Sequence, residues 1–136
     1  MTLRPRIYAV TAAVLLAFDM LWLGVVAPPL YRAELGPLLR PDPDLVASVL
    51  FYALYVVGVC EFVLLPLGPG ADARRRAARG ALFGLIAYAT FDLTAKAVLN
   101  GWTWRITAID MAWGALLTAL TASIAGRFGF ARARPR

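Results

Sequence analysis

Residues 80–96 decide how the chain can fold; they read Gly80-Ala-Leu-Phe-Gly84-Leu-Ile-Ala-Tyr88-Ala-Thr-Phe-Asp92-Leu-Thr-Ala-Lys96. The run is apolar and long enough to cross a bilayer as a helix, yet it carries an acid and a base one turn apart. The two glycines, the tyrosine, the acid and the base recur at every fourth position, so they lie on one slowly rotating stripe of a helix. Because charged side chains are costly in hydrocarbon, this stripe is predicted to face protein or water.

The composition of the whole chain agrees with a membrane protein. Of its 136 residues, 61% are hydrophobic and 16% are charged, whereas a soluble domain is about a quarter charged. Apolar runs at about 7–27, 45–65, 80–99 and 106–126 fill almost the entire sequence. We therefore predict an all-α fold, with one integral membrane domain over residues 1–136 built as an up-down bundle of four transmembrane helices.

Flanking residues set the predicted ends of these helices. Pro28-Pro29 is expected to end the first helix, since proline cannot continue one. The first run is also too long for the apolar region of a signal peptide and contains Asp19, so we expect it to be retained. Asp42 or Asp44 can cap the second helix.

The distribution of arginine predicts the orientation in the membrane. The N-terminal tail, the 66–79 loop and the C-terminal tail hold ten arginines, whereas the other two loops hold three. Basic loops stay in the cytoplasm, so both termini are expected to be cytoplasmic. The net charge of +6 arises from these short clusters between apolar runs, which argues for a lipid bilayer and against nucleic acid as the partner.

The content of cysteine and histidine excludes several kinds of chemistry. The chain has one cysteine, Cys60, and no histidine. An intramolecular disulfide, the common zinc sites, Cys-x-x-Cys redox pairs and Ser-His-Asp triads are therefore excluded. We accordingly predict no metal site and no cofactor, and the sequence assigns no catalytic residue.

Four of the eight acidic residues lie inside the predicted helices: Asp19, Glu61, Asp92 and Asp110. Position and helix direction place all of them except Glu61 at a similar level in the outer half of the bilayer, where aromatic side chains surround them. The predicted ligand-binding residues are Asp19, Trp22, Tyr52, Tyr55, Tyr88, Asp92, Asp110 and Trp113. Such a mixture of aromatic rings and a few carboxylates is typical of a ligand site.

A structural interpretation of the same residues stays open. The aspartates can serve as packing contacts that accept hydrogen bonds across helices, and Asp92 and Lys96 can form an i,i+4 ion pair. Lys96 can instead extend to the membrane surface. Gly80 and Gly84 are expected to permit close helix packing, and Trp102 and Trp104 are expected to anchor the interface.

A short motif, Asp-Met-x-Trp, occurs at 19–22 and again at 110–113. The repeat is either chance or a sign of two helix pairs related by pseudo-symmetry, as in many transport folds.

Several of these residues carry a resemblance that covers nearly the whole chain. They are Asp19-x-x-Trp22-Leu23, Tyr31 with Leu35-Gly36, Phe51-Tyr52-x-x-Tyr55, Gly84-Leu85-x-x-Tyr88-Ala89-Thr90-Phe91-Asp92-Leu93-Thr94, Gly101-Trp102 and Asp110-x-x-Trp113-Gly114. In these positions the chain resembles a family of small bacterial membrane proteins known as domain of unknown function 2177. The family pattern has tyrosine where Phe91 stands and asparagine where Ala95 stands, and Lys96 is not part of it. The resemblance implies a four-helix protein of the bacterial cytoplasmic (inner) membrane and brings no established activity.

Three functions of different classes fit these observations, beside a purely structural or assembly role. The first is a binding or sensing protein whose pocket holds a small, largely apolar or lipid-like ligand. The second is a proton-coupled small-molecule transporter that acts as a homodimer, with a buried aspartate as the proton carrier. The third is a metal-independent enzyme in the membrane that acts on a lipid or isoprenoid, with Asp19 and Asp92 facing each other across one pocket.

Overall fold

The computed structural model describes residues 3–131 of the chain. This part forms four long helices, α1 Leu3–Leu38, α2 Leu45–Leu67, α3 Ala73–Val98 and α4 Trp104–Gly129, each long and apolar enough to cross a membrane. No strand occurs within the described residues. The predicted all-α membrane bundle is therefore confirmed, whereas the orientation of the termini stays a prediction. Three of the ten arginines on which the predicted orientation depends lie outside the described residues: Arg132, Arg134 and Arg136.

The third and fourth helices begin earlier than predicted. α3 begins at Ala73 rather than near residue 80, because the side chain of Asp72 accepts a hydrogen bond of 2.7 Å from the backbone amide of Arg75 and caps the helix. The arginine cluster, predicted to lie in a loop, therefore forms the first turns of α3. α4 begins at Trp104, where the side chain of Thr103 provides the corresponding cap.

The prediction that Pro28-Pro29 ends the first helix is wrong. The chain forms a π turn over Trp22–Val26 and then continues as an α-helix over Ala27–Leu35. In the π turn the amide of Ala27 donates to the carbonyl of Trp22, five residues back. The ladder of α-helical hydrogen bonds is thus already interrupted where the prolines begin a new helical segment, a position at which their missing N–H groups are tolerated.

The two ends of the bundle differ in how the helices pack. We call the end near the 68–72 loop and the described chain ends the closed half, and the end near the 39–44 and 99–103 loops the pocket half. In the closed half, α2 contains the second π turn of the structure, Val59–Leu64. This turn packs against all three other helices. In the pocket half, the preceding part of α2, Leu45–Gly58, packs mainly against α1 and diverges from α3.

Glycines bring α3 and α4 into close contact. A Cβ atom added at Gly80 would lie within 3.0 Å of the carbonyl oxygen of Thr118, and one added at Gly84 would meet the carbonyl oxygen of Gly114 at similarly short range. The prediction that these two glycines permit close packing is therefore confirmed. The largest fully buried apolar side chains are Ile7, Leu15, Val59, Val63, Leu64, Ile106 and Leu117.

Candidate ligand-binding pocket

A cavity of about 330 Å³ lies in the pocket half, with walls from all four helices. Seven of the eight residues predicted as a site line it: Asp19, Trp22, Tyr52, Tyr55, Tyr88, Asp110 and Trp113. The eighth, Asp92, does not belong to the lining. The π turn of α1 contributes Trp22 and Leu23 to the wall, so the irregular part of the helix borders the cavity.

Asp19 joins three helices at one wall of the pocket. The hydroxyl group of Tyr52, on α2, donates a short hydrogen bond to one carboxylate oxygen. The indole Nε1 of Trp113, on α4, donates to the other oxygen at 3.1 Å. Asp19 is buried, and both of its oxygens have a partner, so this carboxylate is well solvated by the protein.

The two Asp-Met-x-Trp motifs contact each other in the wall of the pocket. The rings of Trp22 and Trp113 stack with centroids 4.5 Å apart and planes inclined by 6°. Asp19 of the first motif bonds the tryptophan of the second directly, whereas Asp110 accepts a hydrogen bond of 2.7 Å from Tyr31, whose hydroxyl oxygen lies 3.5 Å from Nε1 of Trp22. The repeated motif therefore corresponds to a direct contact between the antiparallel helices α1 and α4.

Asp92 lies on α3, one turn beyond Tyr88, and does not line the cavity. Its side chain is fully buried, and neither carboxylate oxygen has a hydrogen-bond partner within the described part of the chain. The alternative ion pair with Lys96 is not formed; the ammonium group of Lys96 lies 5.5 Å from the ring centroid of Trp104 instead. Asp92 is therefore a buried acid of α3 that stands apart from the cavity lining.

The floor of the pocket rests on the closed half. Thr118 donates a hydrogen bond of 2.7 Å to the carbonyl oxygen of Gly114, so in its 2.7 Å contact with Tyr55 the tyrosine hydroxyl is the donor. The ring of Tyr88 lies at 6.0 Å from that of Tyr55, edge to face, and covers Gly114, where an added Cβ would collide with it. These contacts hold both tyrosine rings at the base of the cavity.

The last part of α1 closes the end of the pocket. The carboxylate of Glu34 accepts a hydrogen bond of 2.6 Å from Thr103 and forms an ion pair of 3.1 Å with Arg105. Both partners stand at the start of α4, so these contacts and the bond from Tyr31 to Asp110 hold the Ala27–Leu35 segment against α4.

The side of the pocket between α2 and α3 is open. Phe51 on α2 and Phe91 on α3 line the cavity and are nevertheless 44% and 58% exposed. They stand on the two helices that diverge in the pocket half. The opening is therefore lateral, between two of the helices that are long and apolar enough to cross a membrane.

The family model described as "Predicted membrane protein (DUF2177)" matches residues 6–127. The chain belongs to this family. The matched range contains every residue of the pocket and all of the contacts described above. No curated protein and no solved structure matches the chain.

Sequence reasoning missed five lining residues of this DUF2177 protein as site residues: Leu23, Tyr31, Phe51, Ala87 and Phe91. Tyr31 had a detectable signal, because it continues the series of every fourth residue that starts at Asp19. In a regular α-helix, residues spaced by four rotate slowly around the helix axis. The π turn holds more residues than an α turn, so it rotates the series back and keeps it on one side of α1.

The other two intramembrane acids lie outside the pocket. Glu61 lies in the closed half and accepts a hydrogen bond of 2.6 Å from Tyr8. Asp92 does not line the cavity that Asp19 lines. The structure therefore does not place Asp19 and Asp92 across one pocket, as the acid–base enzyme hypothesis required.

Proposed function

We propose that this protein binds a small, largely apolar ligand in the cavity between its four helices. The observation that carries the proposal is the cavity itself, which has a volume of about 330 Å³ and walls made mainly of aromatic rings and two carboxylates. Ligand pockets are typically about 300–1,000 Å³ in volume and mostly apolar, with a few polar groups that orient the ligand.

The hydrogen bonds around the cavity support this function. Tyr52 and Trp113 donate to Asp19, and Tyr31 donates to Asp110. These bonds fix five side chains of the lining in place, as expected of a ligand site that is largely preformed.

The lateral opening indicates how the ligand arrives. Exposed Phe51 and Phe91 form an apolar rim between α2 and α3, and an apolar rim within a bilayer admits molecules that dissolve in lipid. At the loop end the pocket is covered by the segment that Glu34 attaches to α4. Both features favour a membrane-soluble compound over a polar metabolite from the aqueous phase.

Native mass spectrometry of gently extracted protein tests the proposal, with a variant that fills the cavity. Ala87 lines the pocket on α3, and Ala97 is an exposed alanine on the same helix. We expect the wild-type protein and Ala97→Phe to retain a co-purifying small molecule, and Ala87→Phe to lose it. Protection of the buried Cys60 thiol from labelling verifies that each variant is folded. Absence of any retained compound from the wild-type protein, or equal retention by Ala87→Phe, would contradict the proposal.

A further inference from the structure

The described residues that line the pocket include acidic side chains and no basic ones, and this difference bears on the charge of the ligand. Asp19, Asp92 and Asp110 are all buried. Between residues 3 and 131, the ion pairs within 4.0 Å involve Arg40 with Asp44 and Arg105 with Glu34 only. The three intramembrane aspartates therefore lack a basic partner in the described part of the protein.

The aspartate that is best placed to meet a positive group is Asp110. Both oxygens of Asp19 accept hydrogen bonds, from Tyr52 and Trp113. Asp110 lines the pocket and accepts one hydrogen bond, from Tyr31. Asp92 is fully buried and lies outside the lining, so it does not contact the ligand. A positive group placed at Asp110 would therefore meet a buried carboxyl group that no basic side chain of the described residues neutralises.

The aromatic wall next to Asp110 favours the same sign of charge. The stacked rings of Trp22 and Trp113 stand at the pocket wall with parallel planes. The face of an aromatic ring is electronegative and attracts cations, most strongly for tryptophan and more strongly when water is excluded. An anion would instead meet the carboxyl groups of Asp19 and Asp110, which both line the cavity.

We infer that the ligand of this pocket is an organic cation with an apolar body, whose positive group lies at Asp110 and whose body lies between Trp113 and the lateral opening. The inference rests on the proposed function and specifies its ligand class. An organic cation fits better than a metal ion, because the described residues contain no cluster of three or more acidic or thiol groups arranged to hold a metal. Its apolar body is consistent with entry past Phe51 and Phe91.

The test uses two probes that share a shape and differ in charge, benzyltrimethylammonium and its uncharged isostere neopentylbenzene. Equilibrium dialysis compares their binding to protein in lipid nanodiscs and to empty nanodiscs. We expect the cation to bind about tenfold more tightly than the neutral probe, a difference of about 1.4 kcal/mol in binding free energy.

A matched pair of variants locates the effect. Asp110→Asn removes the charge at the pocket and is expected to lower the affinity for benzyltrimethylammonium about tenfold or more. Glu61→Gln removes an intramembrane carboxylate outside the pocket and is expected to leave it unchanged. Should Asp110→Asn fail to protect the Cys60 thiol, the ratio of the two probes on the wild-type protein still decides the question.

The outcomes separate this inference from the proposed function. Equal binding of both probes, or tighter binding of neopentylbenzene, overturns the cationic ligand and leaves a pocket for apolar molecules. An equal loss of affinity for benzyltrimethylammonium in Asp110→Asn and Glu61→Gln also overturns it, since the effect would then not arise in the pocket. Absence of binding by both probes overturns the inference, whereas the proposed function stands or falls with the Ala87→Phe comparison.

Discussion

The closed half and the pocket half consist of the same four helices, but different contacts hold each of them together. In the closed half, Gly80 and Gly84 let α3 approach the backbone of α4, and Val59–Leu64 fills the centre. In the pocket half, α2 diverges from α3, and hydrogen bonds from tyrosine and tryptophan to Asp19 and Asp110 join α1 to α2 and to α4. The comparison shows two ways to hold helices together in lipid.

Inside a bilayer no hydrophobic force acts between helices, so both halves depend on close packing of small residues and on interhelical hydrogen bonds. The closed half relies more on close packing, and the pocket half relies more on hydrogen bonds from long polar side chains. The halves should therefore respond differently to substitution: changes in the closed half should alter stability alone, whereas changes in the pocket half should alter binding as well.

The largest effect is expected from Gly84→Leu in the closed half. Its side chain would collide with the backbone of Gly114, which cannot move away without separating α3 from α4. We expect a loss of about 3 kcal/mol or more in the free energy of unfolding. The measurement is the thermal midpoint for labelling of Cys60, a fully buried thiol in this half.

The control for that variant is Gly24→Leu in the π turn of α1. An added Cβ at Gly24 has no neighbouring atom within 4 Å, so this variant should retain a midpoint close to that of the wild-type protein. If both leucine variants unfold at the same temperature, close approach of α3 and α4 does not hold the closed half.

A smaller loss is expected from Trp113→Ala in the pocket half. The substitution removes the stack on Trp22 and one hydrogen bond to Asp19. Because the ring already borders a cavity, we expect a loss of about 2 kcal/mol in stability, less than for a tryptophan packed on all sides. Trp104→Ala, at a ring that is 67% exposed, should cost much less in the same Cys60 assay, and equal losses would contradict this view of the pocket wall.

The hydrogen bond between Tyr55 and Thr118 joins the floor of the pocket to α4. Its coupling energy can be measured with a pair of substitutions. Tyr55→Phe and Thr118→Val each remove one hydroxyl group from a contact of 2.7 Å. Each is expected to lower the free energy of unfolding by about 1 kcal/mol. In the double variant the losses should fall short of additivity by about 0.6 kcal/mol, the typical coupling of such a pair in a membrane. Strict additivity in a double-mutant cycle would mean that the two hydroxyl groups contribute no coupling energy to the folded protein.

The smallest effects come from two tyrosines that each donate to an intramembrane carboxylate. Tyr52→Phe removes the bond to Asp19 in the pocket, and Tyr8→Phe removes the bond to Glu61 in the closed half. Both should lower stability by about 1 kcal/mol or less. Only Tyr52→Phe should change binding of benzyltrimethylammonium, raising the affinity about threefold because an oxygen of Asp19 becomes available. A similar rise in Tyr8→Phe would show that the effect does not arise in the pocket.

The number and type of the helices followed directly from the sequence, but two boundaries did not. Hydropathy detected four spans because each is long and apolar. The prolines at 28 and 29 predict a helix end, and the π turn that makes them tolerable depends on hydrogen bonds that no local pattern reveals. The arginine cluster is typical of a loop between membrane helices, although Asp72 caps a helix that contains it.

The candidate site was predictable in its residue types and only partly in its arrangement. A charged or aromatic residue within an apolar run is conspicuous, which is why Asp19, Asp110 and the tryptophans could be singled out. Hydropathy and the two prolines place Tyr31 in a loop, because they predict that the helix ends before it. The depth of Asp92 in its apolar run predicts a place in the pocket, but Asp92 does not line the cavity, since depth alone does not fix the rotation of a helix.

The sequence by itself determined that this protein has four apolar helices and that polar groups lie within them, since hydropathy and charge are properties of each segment alone. Only the tertiary structure decided which of those groups meet. Asp19 bonds Trp113, Tyr31 bonds Asp110, and α2 stands away from α3 because of the rotation, tilt and turn type of each helix. These quantities result from packing between segments distant in the chain, and the pocket exists because that packing is close at one end of the bundle and open at the other.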